Sequence, residues 1–390
     1  MDVKSIYYIG FYNGEKSVKR KKYTSNLAGS MKMDFIIKSL KNIGYSVKVI
    51  SITIPPKAGW YPEEKIKVDE KEKFYYLPVL NIKIFKRRLF PGKISVIFLF
   101  MWGLRNLKKE DTVIVYHALP LYPIISLLKK IIKFKLIIQV EEIYSLANNK
   151  KINVGKLKKE EKSISIADKY LFVNDILPDK YALGKPFAVS YGNYSIFDEK
   201  KNVPKNLKQI GVVYTGIINE ERGAFKVISA MSLLPDNYSL HILGFGKESN
   251  IKKMHDLISN VNSTAGIEKV KFYGTKTGDE YTKFLKKFHI GISLMDNSND
   301  ISTSAFPSKI LAYLGHSLFV VSSKNKCITE SKVKDLLYFC NDDSGSIAKA
   351  ILSIDITQPN YAAKRLRLLE NNFQRDLERL ILKEDILDNV

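Results

Sequence analysis

Cysteine is almost missing from this chain: 390 residues hold two, Cys327 and Cys340. Two thiols cannot build a disulfide framework, and these two lack metal-site spacing, so a reducing cytoplasm is the expected setting. Long apolar runs are missing as well. The stretch 94–104 falls short of the roughly 20 residues that a spanning helix takes, so spanning a membrane is not expected. The amino terminus, MDVKSIYYIG, enters a strand directly, with no basic, apolar and cleavage segments in succession, and no export signal is expected. There is no Asp-x-Asp metal motif, no internal repeat and no low-complexity tract. Acidic residues are outnumbered, 40 against 63 Lys and Arg, which leaves a formal charge of +23.

What is present fills cores. Hydrophobic residues make up 45% and aromatic ones 11%, which excludes a disordered chain. The length exceeds what one core usually supports, so two domains of similar size are expected. The positive charge would attract anionic headgroups, polyanions or nucleic acid, although most of the lysines read as solvated faces. One cluster, Lys83, Lys86, Arg87, Arg88 and Lys93, is interleaved with Ile84, Phe85, Leu89 and Phe90. Apolar wedges among charges of one sign make it a membrane-surface candidate.

Strand and helix patterns alternate along both halves. A strand at 5–10, a loop crowded with Lys, Arg, Tyr and Gly, a helix from 26 to 40 and a strand at 47–52 form one βαβ unit. The stretch 54–72, with Pro-Pro and Gly-Trp, reads as an irregular insertion. Strand 112–116, helix 122–132, strand 135–140, helix 160–167, strand 169–173 and strand 186–190 follow, which predicts a doubly wound parallel sheet. Ligands bind outside the carboxyl ends of such strands. His117 and the pair Glu141 and Glu142 stand at two of those ends. A histidine suits proton transfer near neutral pH, and it also occurs as a satisfied structural residue. Two adjacent acids ending a buried strand are a poor packing solution unless one faces a cleft, and the spacing does not say which.

A Lys-rich segment with Pro204 marks the domain boundary, and the alternation restarts with strand 211–215, helix 225–234 and strand 239–243. Strand 270–274, helix 279–287 and strand 289–294 lead to the stretch 300–323, DISTSAFPSKILAYLGHSLFVVSS. Pro307 favours a helix start, Ser308 to Leu314 run helically, Gly315 ends the helix, and 318–321 is a buried strand. The amides of such a helix start, with the hydroxyls of Ser304 and Ser308 and the ammonium of Lys309, form a seat for phosphate. An ordinary capped helix has the same local pattern. His289, at the start of its strand, is taken as structural. Gly244 and Gly246 permit close backbone approach or form a plain tight turn.

The pattern Phe306-Pro307-Ser308-Lys309-Ile310-Leu311, then Tyr313-Leu314 and an apolar strand, resembles the donor-binding segment of family 4 glycosyltransferases of the GT-B type. The likeness is to bacterial enzymes that build capsule and O-antigen polysaccharides, and it extends over most of the chain. It implies two Rossmann-like doubly wound domains facing a central cleft. Residues 1–196 would bind the acceptor and 197–370 the nucleotide-sugar, and a helix in 371–390 would cross back to the first domain. The family's two acids fall at Ser304 and Ala312, a trait of the subgroup with the Phe-Pro-Ser-Lys pattern. The run Gln139 to Tyr144, QVEEIY, also resembles that subgroup. The junction holding Asn26 and Gly29 resembles the one bordering the acceptor side of the cleft. Arg222 before Gly223 matches the basic residue that contacts donor phosphate after the strand ending at Gly216, whereas Ile217 stands where a second basic residue is common. Asp300, near the expected sugar-binding loop, would meet a donor hydroxyl or stand as an exposed loop acid, and Glu330 matches an acid near the nucleotide.

The resemblance implies sugar transfer, with retention of configuration, from a nucleotide-sugar to a hydroxyl of a growing glycan, lipid-linked or polymeric. Uridine diphosphate is the expected carrier, and neither a metal nor another cofactor is expected. The cytoplasm, with peripheral attachment to an anionic membrane, is the expected location. Three other readings compete. The replaced acids would also fit a non-catalytic partner subunit or glycan-binding protein, the charge alone would fit a nucleic-acid binder without its motifs, and the architecture would fit an epimerase.

Overall fold

The structure, a computed structural model, describes residues 4–13, 27–52, 59–84, 87–89, 91–147, 153–197, 208–295 and 305–382. The chain divides into two compact units, Met1–Gly192 together with Asn372–Val390, and Asn193–Asn371. The first unit opens with β1 (Ser5–Gly10), α1 (Leu27–Asn42), β2 (Ser46–Ser51), β3 (Gly59–Tyr61), β4 (Glu64–Asp69), β5 (Glu72–Tyr76), β6 (Val79–Ile84) and β7 (Arg87–Leu89). It continues with α2 (Pro91–Asn106), β8 (Thr112–Tyr116), α3 (Tyr122–Ile132), β9 (Lys135–Val140), α4 (Tyr144–Ala147), α5 (Val154–Ile164), β10 (Lys169–Phe172), α6 (Leu177–Tyr181) and β11 (Phe187–Val189).

Its main sheet runs β11-β10-β9-β8-β1-β2-β5-β4, parallel throughout except for β4. The central strands are buried on both faces, which is why their sequences read as unbroken apolar runs. The order reverses between β1 and β8.

From residue 59 on, the expected irregular insertion is instead β-structure, and 54–58 lie outside the described residues. β4 and β5 form an antiparallel hairpin turning at Glu70 and Lys71, and β3 pairs with β6. The charged run of β4 hides a strand because β4 lies at the sheet edge, where nothing packs outside it. Lys41 of α1 pins the hairpin by donating to Asp69 and Glu72, each 2.6 Å away. Helix α5 begins six residues before the expected 160, because the Asn153 side chain accepts the Lys156 amide at 3.0 Å and caps it.

The second unit holds β12 (Ile210–Ile217), α7 (Ala224–Ala230), β13 (Tyr238–Phe245), α8 (Glu248–Ala265), β14 (Val270–Phe272), α9 (Gly278–Leu285) and β15 (Ile290–Ser293). Then come α10 (Ser308–Gly315), β16 (Phe319–Ser323), α11 (Lys326–Thr329), β17 (Leu337–Cys340) and α12 (Ser344–Leu352). Its sheet is wholly parallel in the order β14-β13-β12-β15-β16-β17. The strands therefore wind outward from β12 in one direction and from β15 in the other, and a topological switch point lies between them. One face is closed by Phe225, Val227 and Ile228 of α7, Met254 of α8 and Ile347 and Ile351 of α12 against Val212, Tyr214, Leu240 and Ile242.

His289 is structural: its Nδ1 accepts the Gly211 amide at 3.1 Å. Cys327 and Cys340 are buried and in no disulfide, and burial pushes both thiols up to about 12. Helix α13 (Ala362–Leu382) starts nine residues before the expected 371. Its buried stripe Ala362, Leu366, Leu369, Phe373, Leu377 and Leu380 keeps helical spacing from the first turn, and Phe373 packs on Phe35 at 5.5 Å.

Candidate active site

In the second unit the site begins with a tyrosine inside an apolar strand. Tyr214 of β12 donates its hydroxyl to the carbonyls of Ile217 and Arg222, at 2.9 and 3.1 Å, and so ties down the loop beyond the strand. Asn219 Oδ1 accepts the Arg222 amide at 2.9 Å, and Gly223 takes the left-handed φ of 69° against Leu294. Arg222 is thereby fixed just past β12. Gly216 has φ 135°, and a Cβ on it would overlap the Lys309 ammonium. The floor is polar: Tyr313 OH accepts the Thr215 amide at 3.0 Å, and the Thr215 hydroxyl meets Tyr313 and Tyr281 at 3.1 and 3.2 Å.

Helix α10 delivers Lys309 from the other side of the switch point. Pro307 precedes the helix at φ −71° and ψ 107°, so it occupies the cap position and not the first helical turn, and no side chain caps the helix. The amides of Ser308 and Lys309 have no acceptor among the described residues. Phe306 is buried and anchors the entry; Ser308 is exposed. The Lys309 ammonium lies 4.7 Å from the centre of the Tyr214 ring, with no acidic partner among the described residues. Burial and then the Arg222 charge push its pKa down to about 7. Two cations, open helix amides and a cation–π contact thus converge at the carboxyl end of β12. Such a seat is completed by an anion with several oxygens.

Other expected donor residues fall differently. Gly244 belongs to β13, paired with Gly216, and is not part of a turn. A Cβ on it would overlap the Gly216 carbonyl oxygen and reach 2.9 Å from Ile218 Cδ1, so its missing side chain serves the neighbouring strand. Glu330 is exposed at the end of α11, 3.8 Å from the Lys326 ammonium. Ile217 is exposed, and Ala312 lends its carbonyl to His316 Nδ1 at 2.7 Å. Asp300, Ser304 and Asn26 lie outside the described residues.

The first unit gathers its candidates at its own switch point. A cavity of about 200 Å³ is lined by Phe11, Gly29, Met33, Tyr116, His117 and Tyr144, among others. Glu141 is buried with both oxygens engaged, one by the Gln139 side-chain amide and the other by the Lys32 ammonium. Gln139 in turn accepts the Tyr8 hydroxyl. This relay fixes the Glu141 carboxylate in place between Gln139 and Lys32. Glu142, beside it, is only partly buried.

His117 is 1% exposed, and neither ring nitrogen reaches hydrogen-bond geometry with a described partner. Its Nε2 stands 3.3 Å from Glu160 Oε1, an ion-pair distance outside that geometry. Glu160 accepts the amides of Tyr144 and Ser145 at 2.8 and 2.7 Å. Burial alone would raise its pKa, but His117 and Ser145 outweigh that and hold it below the usual carboxylate range.

Glu160→Ala should therefore cost about 3 kcal/mol in urea unfolding at neutral pH, because it strands two buried amides. Since the folded pKa is lowered, the ionic part of that stability is present above the unfolded carboxylate value and fades as pH falls through the folded one. Glu160→Gln should accordingly match the parent chain more closely in acid than at neutral pH.

Glu160, Lys32, Tyr281 and Tyr313 were not among the expected site residues. The available signals were a polar residue inside each apolar strand, Gln139 and Tyr214, and an acid on the apolar stripe of α5.

No family model matches this chain, and no curated protein matches it. Solved structures do. Sucrose-phosphate synthase from Thermosynechococcus elongatus is 11% identical, covering 95% of this chain and 94% of its own, with a TM-score of 0.67. A trehalose-6-phosphate protein from E. coli bound with UDP-2-fluoro glucose is 10% identical over 96% of this chain and 99% of its own, at 0.65. HepE of Anabaena in complex with UDP is 11% identical over 97% and 98%, at 0.63. The chain has the GT-B fold, with two Rossmann-like units, that these glycosyltransferases share.

Proposed function

We propose that this protein is a retaining, metal-independent glycosyltransferase that moves a sugar from a nucleotide-sugar, carried on uridine diphosphate, to a hydroxyl of a growing glycan in cell-surface polysaccharide synthesis. The observation that carries the reading is the Lys309 ammonium, enclosed beside Arg222 and the uncapped start of α10 with no anion among the described residues. The names of the neighbours solved with UDP and UDP-2-fluoro glucose support the choice of carrier. The Phe306 to Leu311 pattern supports family 4.

In this reading the reaction asks little covalent chemistry of the protein. The bond from the anomeric carbon to the diphosphate breaks with charge growing on the leaving phosphate, and Lys309, Arg222 and the amides of Ser308 and Lys309 neutralise it as it grows. Gly216 leaves room for the Lys309 ammonium, and Gly244 lets β13 lie close against β12 beside it. Asp300, Ser304 and Glu330 are assigned to the sugar, phosphate and nucleoside in that order. The first unit takes the acceptor, a lipid-linked or polymeric glycan, with Asn26 and Gly29 at its entry. Of the proton-handling candidates, Glu142 is the less buried acid, Glu141 is tied to Lys32, and His117 lines the cavity with its Nε2 3.3 Å from Glu160. Work at the inner face of the plasma membrane, by peripheral contact, fits such an acceptor.

A thermal-shift series with free nucleotides and nucleotide-sugars tests this. Uridine diphosphate should raise the melting temperature, with about 2.7 kcal/mol of added stability at a hundredfold excess over Kd. Arg222→Ala should abolish the rise. A folded chain indifferent to every nucleotide would overturn the reading, and binding without sugar transfer to any glycan would favour a non-catalytic partner.

A further inference from the structure

Helices α2 and α3 of the first unit lie side by side, so close that a Cβ on Gly103 would come 2.6 Å from Leu128 Cδ1. Both run toward the amino end of the sheet, since each is followed by a strand, β8 or β9, whose first residues Thr112 and Lys135 are register partners. Their outward faces are unusual for a surface. On α2, Ile97 is 55% and Leu104 46% exposed; on α3, Leu127 is 43% and Ile131 53% exposed. With Gly103 and Leu128 marking the seam, helical spacing turns Ile97 and Leu104 toward α3 and Leu127 and Ile131 toward α2. The four form one exposed apolar ridge along the groove between the helices, extended by Met101.

The surroundings of the ridge are mainly cationic. Neither helix contains an acidic residue. Arg105 and Lys130 flank it on the outer sides, and Lys108, Lys109 and Lys133 are exposed where the helices end. Of the acids at that end, Asp168 is paired with Lys129, which leaves Glu110 and Asp111, the latter accepting the Lys108 amide at 2.7 Å, against the five cations. A second copy of the chain meeting this face with its own would bring like charges together. No described helix is long and apolar enough to cross a bilayer. Apolar side chains that insert, set among cations that meet headgroups, are what a surface-bound element presents to anionic lipid.

We propose that the α2–α3 face docks the protein on an anionic lipid bilayer, with Ile97, Leu104, Leu127 and Ile131 inserted and Arg105, Lys108, Lys109, Lys130 and Lys133 on the headgroups. It rests on the proposed function for its purpose, namely bringing the first unit to a lipid-linked acceptor. The sequence-level candidate at 83–93 leads directly into α2, but its side chains lie outside the described residues.

Flotation of the full chain with vesicles tests it. The parent should float with phosphatidylcholine vesicles containing phosphatidylglycerol and stay behind with phosphatidylcholine alone. Arg105→Glu with Lys130→Glu should weaken binding at least about tenfold, each cation near the surface contributing several-fold. Ile97→Gln with Leu104→Gln, Leu127→Gln and Ile131→Gln should remove the binding that survives added salt, with melting temperature unchanged because all four are exposed. Equal flotation of parent and variants, no flotation of the parent, or a parent dimer that the Gln variant converts to monomer would each overturn the docking face. The melting shift with uridine diphosphate, measured on the same variants, reports the donor site separately.

Discussion

Lys309→Met should lower kcat/KM for nucleotide-sugar turnover by about 100- to 1,000-fold, the usual loss when one preorganised charge is removed from a leaving group. Methionine keeps the length of the stem and the packing on Tyr214, so the melting temperature should hold or rise once a half-buried ammonium with no described anion is gone. Loss of activity together with loss of fold would point instead to a structural lysine. The pH dependence gives a second readout. With its pKa pushed down to about 7, Lys309 in the free protein is neutral above that pH, and a bound diphosphate must recharge it. Binding above pH 7 should therefore take up a proton, and affinity should fall by up to about tenfold per pH unit there. Titration calorimetry in buffers of different ionisation enthalpy measures the uptake directly. For the free protein the sign is opposite to that of a lysine stabilised by a partner. The unfolded chain binds the extra proton between about pH 7 and the ordinary lysine value, so this group's contribution to stability improves as pH rises through that window. Lys309→Met should lack both the proton uptake and the slope.

Gly244→Ala should cost about 3 kcal/mol of stability and remove nucleotide binding, although alanine is an ordinary strand residue. The added methyl would overlap the carbonyl oxygen of Gly216, a backbone atom that no rotamer change can move. Parting β13 from β12 at this point shifts Gly216, and with it the seat of Lys309. Gly274→Ala is the control. It sits on the same side of the sheet, with its carbonyl accepting the Gly244 amide at 2.8 Å, but nothing lies within 4 Å of its added Cβ. That substitution should cost only about 1–2 kcal/mol for its left-handed φ of 68° and leave nucleotide binding intact. If the two variants lose nucleotide binding equally, the close approach of the two strand ends does not shape the site. Urea unfolding and a nucleotide titration on each variant decide the matter.

Much of the fold was legible because its strands are buried on both faces. Runs such as Leu136 to Val140 or Phe319 to Ser323 carry that burial in their composition, and their positions followed from it. The hairpin of β4 and β5 was not legible, because an edge strand has no face that must be apolar, and its alternating charges read as an insertion. Helix α8 carries few buried residues, Met254 and Val261 among them, and its apolar spacing did not stand out from its polar length. In the site, Pro307, Ser308 and Lys309 could be found from the helix start they form. Glu160 could not be matched to His117, because nothing local marks two residues from different elements as neighbours.

The sequence by itself determined the alternation of strands and helices, the helix start at Ser308 with Lys309 beside it and the glycine at the end of β12, because each depends on residues close along the chain, whereas Arg222 was singled out by the family resemblance alone. The tertiary structure decided what those residues meet. Sheet order set β12 beside β15 and so carried Lys309 onto the Tyr214 ring, near enough to Arg222 for one charge to depress the other. It bound Glu141 to Lys32 and left Glu142 the less buried of the two acids, and it aligned the apolar sides of α2 and α3 into one ridge. Those outcomes depend on distances between segments far apart in the chain, and such distances are fixed only when the sheet closes its register.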